Sequence, residues 1–282
     1  MLSMNKLLFV HTLFICVFAG DYTWTNLRVK FEPPEVGKYG IPMTVDQAEE
    51  EGYVKAATHE DFSKIDIYCL HNDPRGCPMY DTYGKLCGFR AGYVIGTLSD
   101  KCEIDSYYHY ETIAMFKKGW IFGDIDYYHV DCIFSTPACL LAGGPTTRTA
   151  PLGDSLHVKL DGKTWTEIPK KEENILNIPG MVKQACYPQM GQHYFFIGKN
   201  TNCADAKPFF ALYHKRWLIG MGMFGMGSVS EYKRDWYENI PPGFIKITFT
   251  TPPECLAPAI EKCGGISMHM YFTEKPQNIT CP

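Results

Sequence analysis

Three blocks of this chain occur twice in the same order, and that repetition limits the folds open to it more than any short motif does. "GYVIGTLSDKC", Gly92 to Cys102, matches "YFFIGKNTNC", Tyr194 to Cys203. "IAMFKKGWIFG", Ile113 to Gly123, matches "FALYHKRWLIG", Phe210 to Gly220, and "IFSTPACL", Ile133 to Leu140, matches "TFTTPPECL", Thr248 to Leu256. The pattern is an internal duplication, with copy one over residues 67–141, a Gly/Pro/Thr-rich linker over 142–155, and copy two over 156–282. Copy two carries an insertion between its Trp217 and Cys255 blocks. A segment over 20–66 precedes both copies, and the two copies are free to pack as one domain.

The repeated blocks are β-prone runs separated by polar breaks, the signature of hairpins. The repeated Trp120 and Trp217 are expected inside them as buried residues, and the break in copy one is expected at Lys117-Lys118-Gly119. Helix is scarce. Thr44 N-caps a short helix that Gly52 stops, and proline-led helices follow Thr136 and Pro253. "ISMHMYF" alternates like a strand. The expected fold is α+β and β-rich, an internally duplicated hairpin unit with few short helices, stabilised by disulfides.

Residues 1–19, with Lys6, an apolar run from Leu7 to Phe18 and small residues after it, have the form of a secretory signal peptide. No later segment is an uninterrupted apolar run of spanning length. The expected location is extracellular, with no membrane span. Of 12 cysteines, Cys16 falls in this leader, and the remaining eleven read as disulfide partners with one left over, Cys281 being the easiest to leave unpaired. The shared spacing suggests Cys87 with Cys102 and Cys186 with Cys203, with Cys139 and Cys255 as further bonded candidates. There is no Cys-x-x-Cys, so no metal is implied beyond a weak calcium possibility at Asp124 and Asp126 in "DIDYYHVDC". Alternation in that segment puts Tyr127, His129 and Asp131 on one face. Its commoner use is a solvated strand edge.

The 27 basic and 31 acidic residues give a net charge of -4 without a basic run, which argues against nucleic acid as a partner. No cofactor motif is present. "GDSL", Gly153 to Leu156, matches a serine-esterase block, but Ser155 follows a polar linker and has no suitably placed base downstream, so the nucleophile reading is disfavoured. "GMGMFGMG", Gly220 to Gly227, lacks the Lys-Ser or Lys-Thr of a phosphate loop and reads as a hairpin or a strand closely approached by another backbone. His193 opens the best strand of copy two where copy one has Ala91. It is a binding candidate with Tyr213, His214 and Trp217, and "NIT" makes Asn278 a glycosylation candidate.

"TWTNLRV", "MTVDQAEEEGY", "FKKGWIFG", "CYPQMGQHYFF", "PFFALYHKRWLIG" and "GISMHMYF" together resemble an uncharacterised family of secreted invertebrate proteins. That resemblance implies one shared architecture over nearly the whole mature chain, with no activity and no site residue to carry over.

The leading expectation is a secreted, disulfide-stabilised protein that binds an unknown extracellular ligand or matrix partner, or builds structure, without catalysis. The alternative is a secreted enzyme, a hydrolase, with its site in the insertion around Gly220 to Asn239 and His193 or His214 taking part. His193, His214 or Ser155 sharing a deep pocket with a carboxylate at hydrogen-bonding distance favours the enzyme. Isolated histidines and an aromatic, Met-lined concavity favour binding.

Overall fold

The computed structural model describes residues 23–98, 102–123, 125–148, 150–153, 155–229 and 234–282. The leader expected over 1–19 lies outside them. The chain is β-rich, with two antiparallel sheets of eight strands each and five short α-helices among the described residues.

The second sheet opens and closes the chain. Its strands β1 (Arg28–Val29) and β2 (Tyr39–Gly40) come first, followed by α1 (Val45–Glu50). Thr44 caps α1 by accepting from the Gln47 N–H, and Gly52 ends it at φ +83°. The first sheet then runs through β3 (Tyr53–Thr58), β4 (Asp66–Leu70), β5 (Gly76–Tyr80) and β6 (Leu86–Tyr93). After α2 (Ile95–Leu98) come β7 (Lys117–Ile121), β8 (Ile125–Ile133), α3 (Pro137–Leu141), β9 (Leu156–Lys159) and β10 (Trp165–Ile168). Its order is β10-β9-β8-β6-β5-β4-β3, with β7 also on β8.

The second sheet resumes with β11 (Val182–Tyr187), β12 (Gly191–Phe195), β13 (Phe209–His214) and β14 (Trp217–Met226). Then come β15 (Glu238–Asn239), α4 (Ile245–Thr248), α5 (Leu256–Cys263) and β16 (Gly265–Tyr271). The order is β11-β12-β13-β14-β16-β1-β2, with β15 also on β16. The boundary between sheets falls after Ile168, so Leu156–Ile168 extends the sheet built from residues 53–133.

One aromatic core joins the sheets. Tyr93 from β6 donates to the Phe224 carbonyl on β14, Tyr237 donates to the Gly92 carbonyl, and the Trp24 indole donates to the Leu218 carbonyl. Trp236 lies against β5, where a Cβ on Gly76 would come within 2.5 Å of the indole, which explains a glycine at that position.

The hairpin expected over Phe210 to Gly220 forms. β13 and β14 are joined by Lys215-Arg216 with φ of +49° and +70°, the twist that suits a two-residue hairpin turn. Copy one differs. Lys117-Lys118-Gly119 lies inside β7, and the chain reverses at Phe122-Gly123, both at positive φ. Glycine there makes the reversal cheap and moves the turn past the tryptophan. Trp120 is consequently 69 % exposed instead of buried, and Trp217 is half-buried.

The cysteine pairing also departs from expectation. The disulfides are Cys69–Cys77, Cys102–Cys263, Cys186–Cys281 and Cys203–Cys255, and Cys139 is bonded too. Neither Cys87–Cys102 nor Cys186–Cys203 forms, and Cys281 is not left over. Among the described residues Cys87 and Cys132 are the free thiols, both buried in the first sheet. Sequence spacing favours local pairs, whereas the sheets bring together cysteines as far apart as 161 residues.

Candidate binding cavity

The outer face of the second sheet is built by alternation. His193 and Phe195 of β12 oppose Leu212 and Phe210 of β13, and Phe210 in turn opposes Gly222 of β14, which opposes His269 of β16. Phe224 opposes Ser267 on the same two strands. Glycine at 222 is a steric requirement: a Cβ there would stand 2.0 Å from Phe210 Cζ and 2.6 Å from the Met268 carbonyl oxygen. "GMGMFGMG" is therefore the closely approached strand that its glycines suggest, and Met221 and Met223 fill the core on the other face.

Across this face lie the residues after β1, β15 and α4. Together they enclose a cavity of about 300 Å³. Its floor is His193, Phe195, Phe210, Phe224, Ser267 and His269, and its far wall includes Ile245 and Phe249. Glu32, Pro33, Asn239 and Pro241 are exposed and form the mouth. A half-enclosed, largely aromatic hollow with a few convergent polar groups is the usual form of a small-molecule site.

The polar groups collect on one side. Glu238 accepts from the Phe31 N–H through Oε1, and through Oε2 from Ser267 Oγ at 2.9 Å and His269 Nδ1 at 3.2 Å. His193 is fully buried, and its Nδ1 donates to the Ala185 carbonyl at 3.2 Å, leaving Nε2 without a partner. Burial, helped by the neighbouring His269, pushes His193 down to about 3 against the contrary pull of backbone carbonyls. It is a neutral imidazole at physiological pH. The rings of His193 and His269 meet edge to face, 5.9 Å apart.

Of the other candidates, none lines this cavity. Tyr213 is buried and donates to the Pro169 carbonyl. Trp217 carries the Lys171 ammonium 3.3 Å from its ring centre. His214 sits at 3.3 Å from Thr280 Oγ1 near the end of the chain, its pKa lowered by partial burial and by Lys215. Ser155 is buried with an unpartnered Oγ, and the ring nearest it along β9, His157, also has an unpartnered Nδ1 and is pushed down to about 4 by burial. Asp124 and Asp154 lie outside the described residues, while Asp126 is exposed and pairs with Lys118 at 3.1 Å.

The sequence segment around Asp126 does feed a second polar cluster. Asp131 of β8 is gripped by Arg90 of β6 through Nε at 2.7 Å and a terminal nitrogen at 2.8 Å, and Arg90 also reaches Glu60 at 2.9 Å. His59 and His129 flank Asp131 at 3.2 and 3.3 Å. Burial would raise Asp131, but Arg90 and His129 hold it well below the usual carboxylate range. Among the described residues His59, Glu60 and Asp131 form the one group whose ligand atoms approach within 4.8 Å of one another. The Arg90 and Lys117 cations already neutralise both carboxylates, so this donor set suits a structural ion network better than a metal ion.

Both sequence-derived tests are met in part. The cavity is aromatic and includes Met190, and His193 shares it with a carboxylate, yet that carboxylate bonds His269. His193 stands out in the sequence as the odd residue of its block. Ser267 and His269 are within reach through the alternation of "GISMHMYF", whereas Glu238 lies on a two-residue strand that carries no periodicity. Comparison with protein-family models, curated proteins and solved structures gave no match to the chain.

Proposed function

We propose that this chain is an extracellular, disulfide-stabilised binding protein that holds a small, mainly apolar molecule in the cavity between the outer face of the second sheet and the β15–α4 segment. The single observation that supports it most is that cavity: about 300 Å³, floored by three phenylalanines and open to solvent at one end. The disulfides described above are compatible with an extracellular protein, and among the described residues no helix is long and apolar enough to cross a membrane.

A secreted hydrolase is the second reading, favoured by the meeting of a hydroxyl, a carboxylate and an imidazole in Ser267, Glu238 and His269. The bonding order weighs against it, since Ser267 donates to Glu238 and not to an imidazole that could take its proton. Displacement of the fluorescent probe N-phenyl-1-naphthylamine by apolar compounds tests the binding reading. Wild type takes up the probe in the micromolar range, and Thr248→Phe, which adds a ring to the cavity wall, loses it. Equal uptake by both proteins counts against the cavity, and turnover of p-nitrophenyl esters abolished by Ser267→Ala favours the hydrolase.

A further inference from the structure

The hydrogen bonds already made around the cavity define what is left for a ligand. His193 commits its one N–H to the Ala185 carbonyl, and His269 commits its Nδ1–H to Glu238. Ser267 spends its O–H on the same carboxylate. What remains on the floor is His193 Nε2, which has no partner, and the lone pairs of the Ser267 oxygen. Thr248 and Asn239 bring a hydroxyl and an amide to the wall and mouth, but the free groups of the floor are acceptors, so a ligand group seated against His193 must donate.

Charge narrows the choice further. Glu32 and Glu238 are the charged residues of the lining, which contains neither lysine nor arginine. A ligand carboxylate would lie beside a like charge and away from any cation, a costly arrangement in an apolar site. An ammonium would have to shed its hydration in a largely apolar hollow where Glu238 is already engaged by three donors. At a packing density of about 0.74, the cavity accommodates roughly 220 Å³ of ligand, on the order of a dozen non-hydrogen atoms.

Building on the cavity reading above, we propose that the preferred ligand is a neutral apolar alcohol or phenol whose hydroxyl donates to His193 Nε2. The neutrality of the imidazole, kept by its burial, preserves that acceptor across the physiological range. Without a ligand, Nε2 is a buried acceptor lacking a partner, and satisfying such a group on binding is a recognised source of discrimination.

Decanol, its methyl ether, decanoate and decylamine, measured by probe displacement at pH 7.5, test this. Decanol should bind about tenfold more tightly than the ether, which has the same body but no O–H, and more tightly than either charged analogue. His193→Phe should still bind the ether and should lose decanol's advantage over it. If the ether matches decanol on wild type, or if decanoate or decylamine binds as well, the proposal fails while the cavity reading stands. If no member of the series binds, the cavity reading fails with it. Should His193→Phe not fold, the wild-type series decides alone.

Discussion

Replacing Asp131 with asparagine keeps its shape and removes its charge at the point where the first sheet is cross-linked by ions. The side chains of Arg90 and Asp131 are 5 % and 9 % exposed, and the guanidinium makes two short bonds to the two carboxylate oxygens. The amide of Asp131→Asn would answer one of those donors with an oxygen and oppose the other with an NH₂ group. Breaking a buried pair from one side costs about 3–5 kcal/mol, because the partner's charge stays behind. At about 2–4 °C per kcal/mol for a chain of this size, thermal unfolding should fall by about 6–20 °C at pH 7. Acid should erase the difference. Asp131 is held below its unfolded value of about 3.9, so its contribution is complete above that pH and disappears as the pH falls through its folded pKa. The double variant Arg90→Met, Asp131→Leu should recover much of the loss. Circular dichroism melts with the disulfides intact measure all three proteins. A shift below about 2 °C for Asp131→Asn at pH 7, less than the smallest expected from a broken buried pair, refutes the assignment of Asp131 as the anchor of this network.

Burial depresses His193 to about 3, so the unfolded chain takes up that proton first, and stability falls as the pH drops from about 6.5 towards 3. His193→Phe should flatten this limb in acid titrations followed by circular dichroism. Cys87 and Cys132 are buried, and burial pushes both thiols up; iodoacetamide should label them only after unfolding, as read by peptide mass. Gly222→Val should force Phe210 out of place and remove probe binding, with a lowered melting temperature. Asn278 is exposed in its Asn-Ile-Thr motif, and expression through a eukaryotic secretory pathway should give a glycan-sized mass that Asn278→Gln removes.

What can be read from the sequence is whatever local chemistry decides. Thr44 and Gly52 bracket α1 because capping and positive φ are properties of single residues. The β13–β14 hairpin and the strand nature of "GISMHMYF" follow from alternation. The same alternation places Tyr127 and Asp131 on one face, where both meet Arg90. Distance in the chain defeats the rest. Arg90, Glu60 and His59 join Asp131 from other strands and loops, and Glu238 completes the cavity from a two-residue strand. Cys102 finds Cys263 only because α5 and the loop after α2 are brought together by the packing of the two sheets. The matched "WIFG" and "WLIG" blocks show the opposite failure: like sequences take different turns, because Gly123 offers the first block a reversal that Gly220, held against the Met270 carbonyl, does not offer the second.

The pairing of β1 with β16 sets a clock on biosynthesis. Val29 pairs with Met270, so the first strand of the second sheet waits for nearly the last, and at about 5–20 residues per second that wait is roughly 10–50 s. Throughout it, Leu27 and Val29, both fully buried in the finished protein, have no sheet to join. The first sheet, made wholly from residues 53–168, can assemble in the meantime, leaving the segment around Leu27 and Val29 as an adhesive end that must be shielded until β16 is made. Cutting the chain after Ile168 would separate β1 from β16, so the two pieces are expected to be inseparable in expression even though the first sheet lies wholly on one side of the cut.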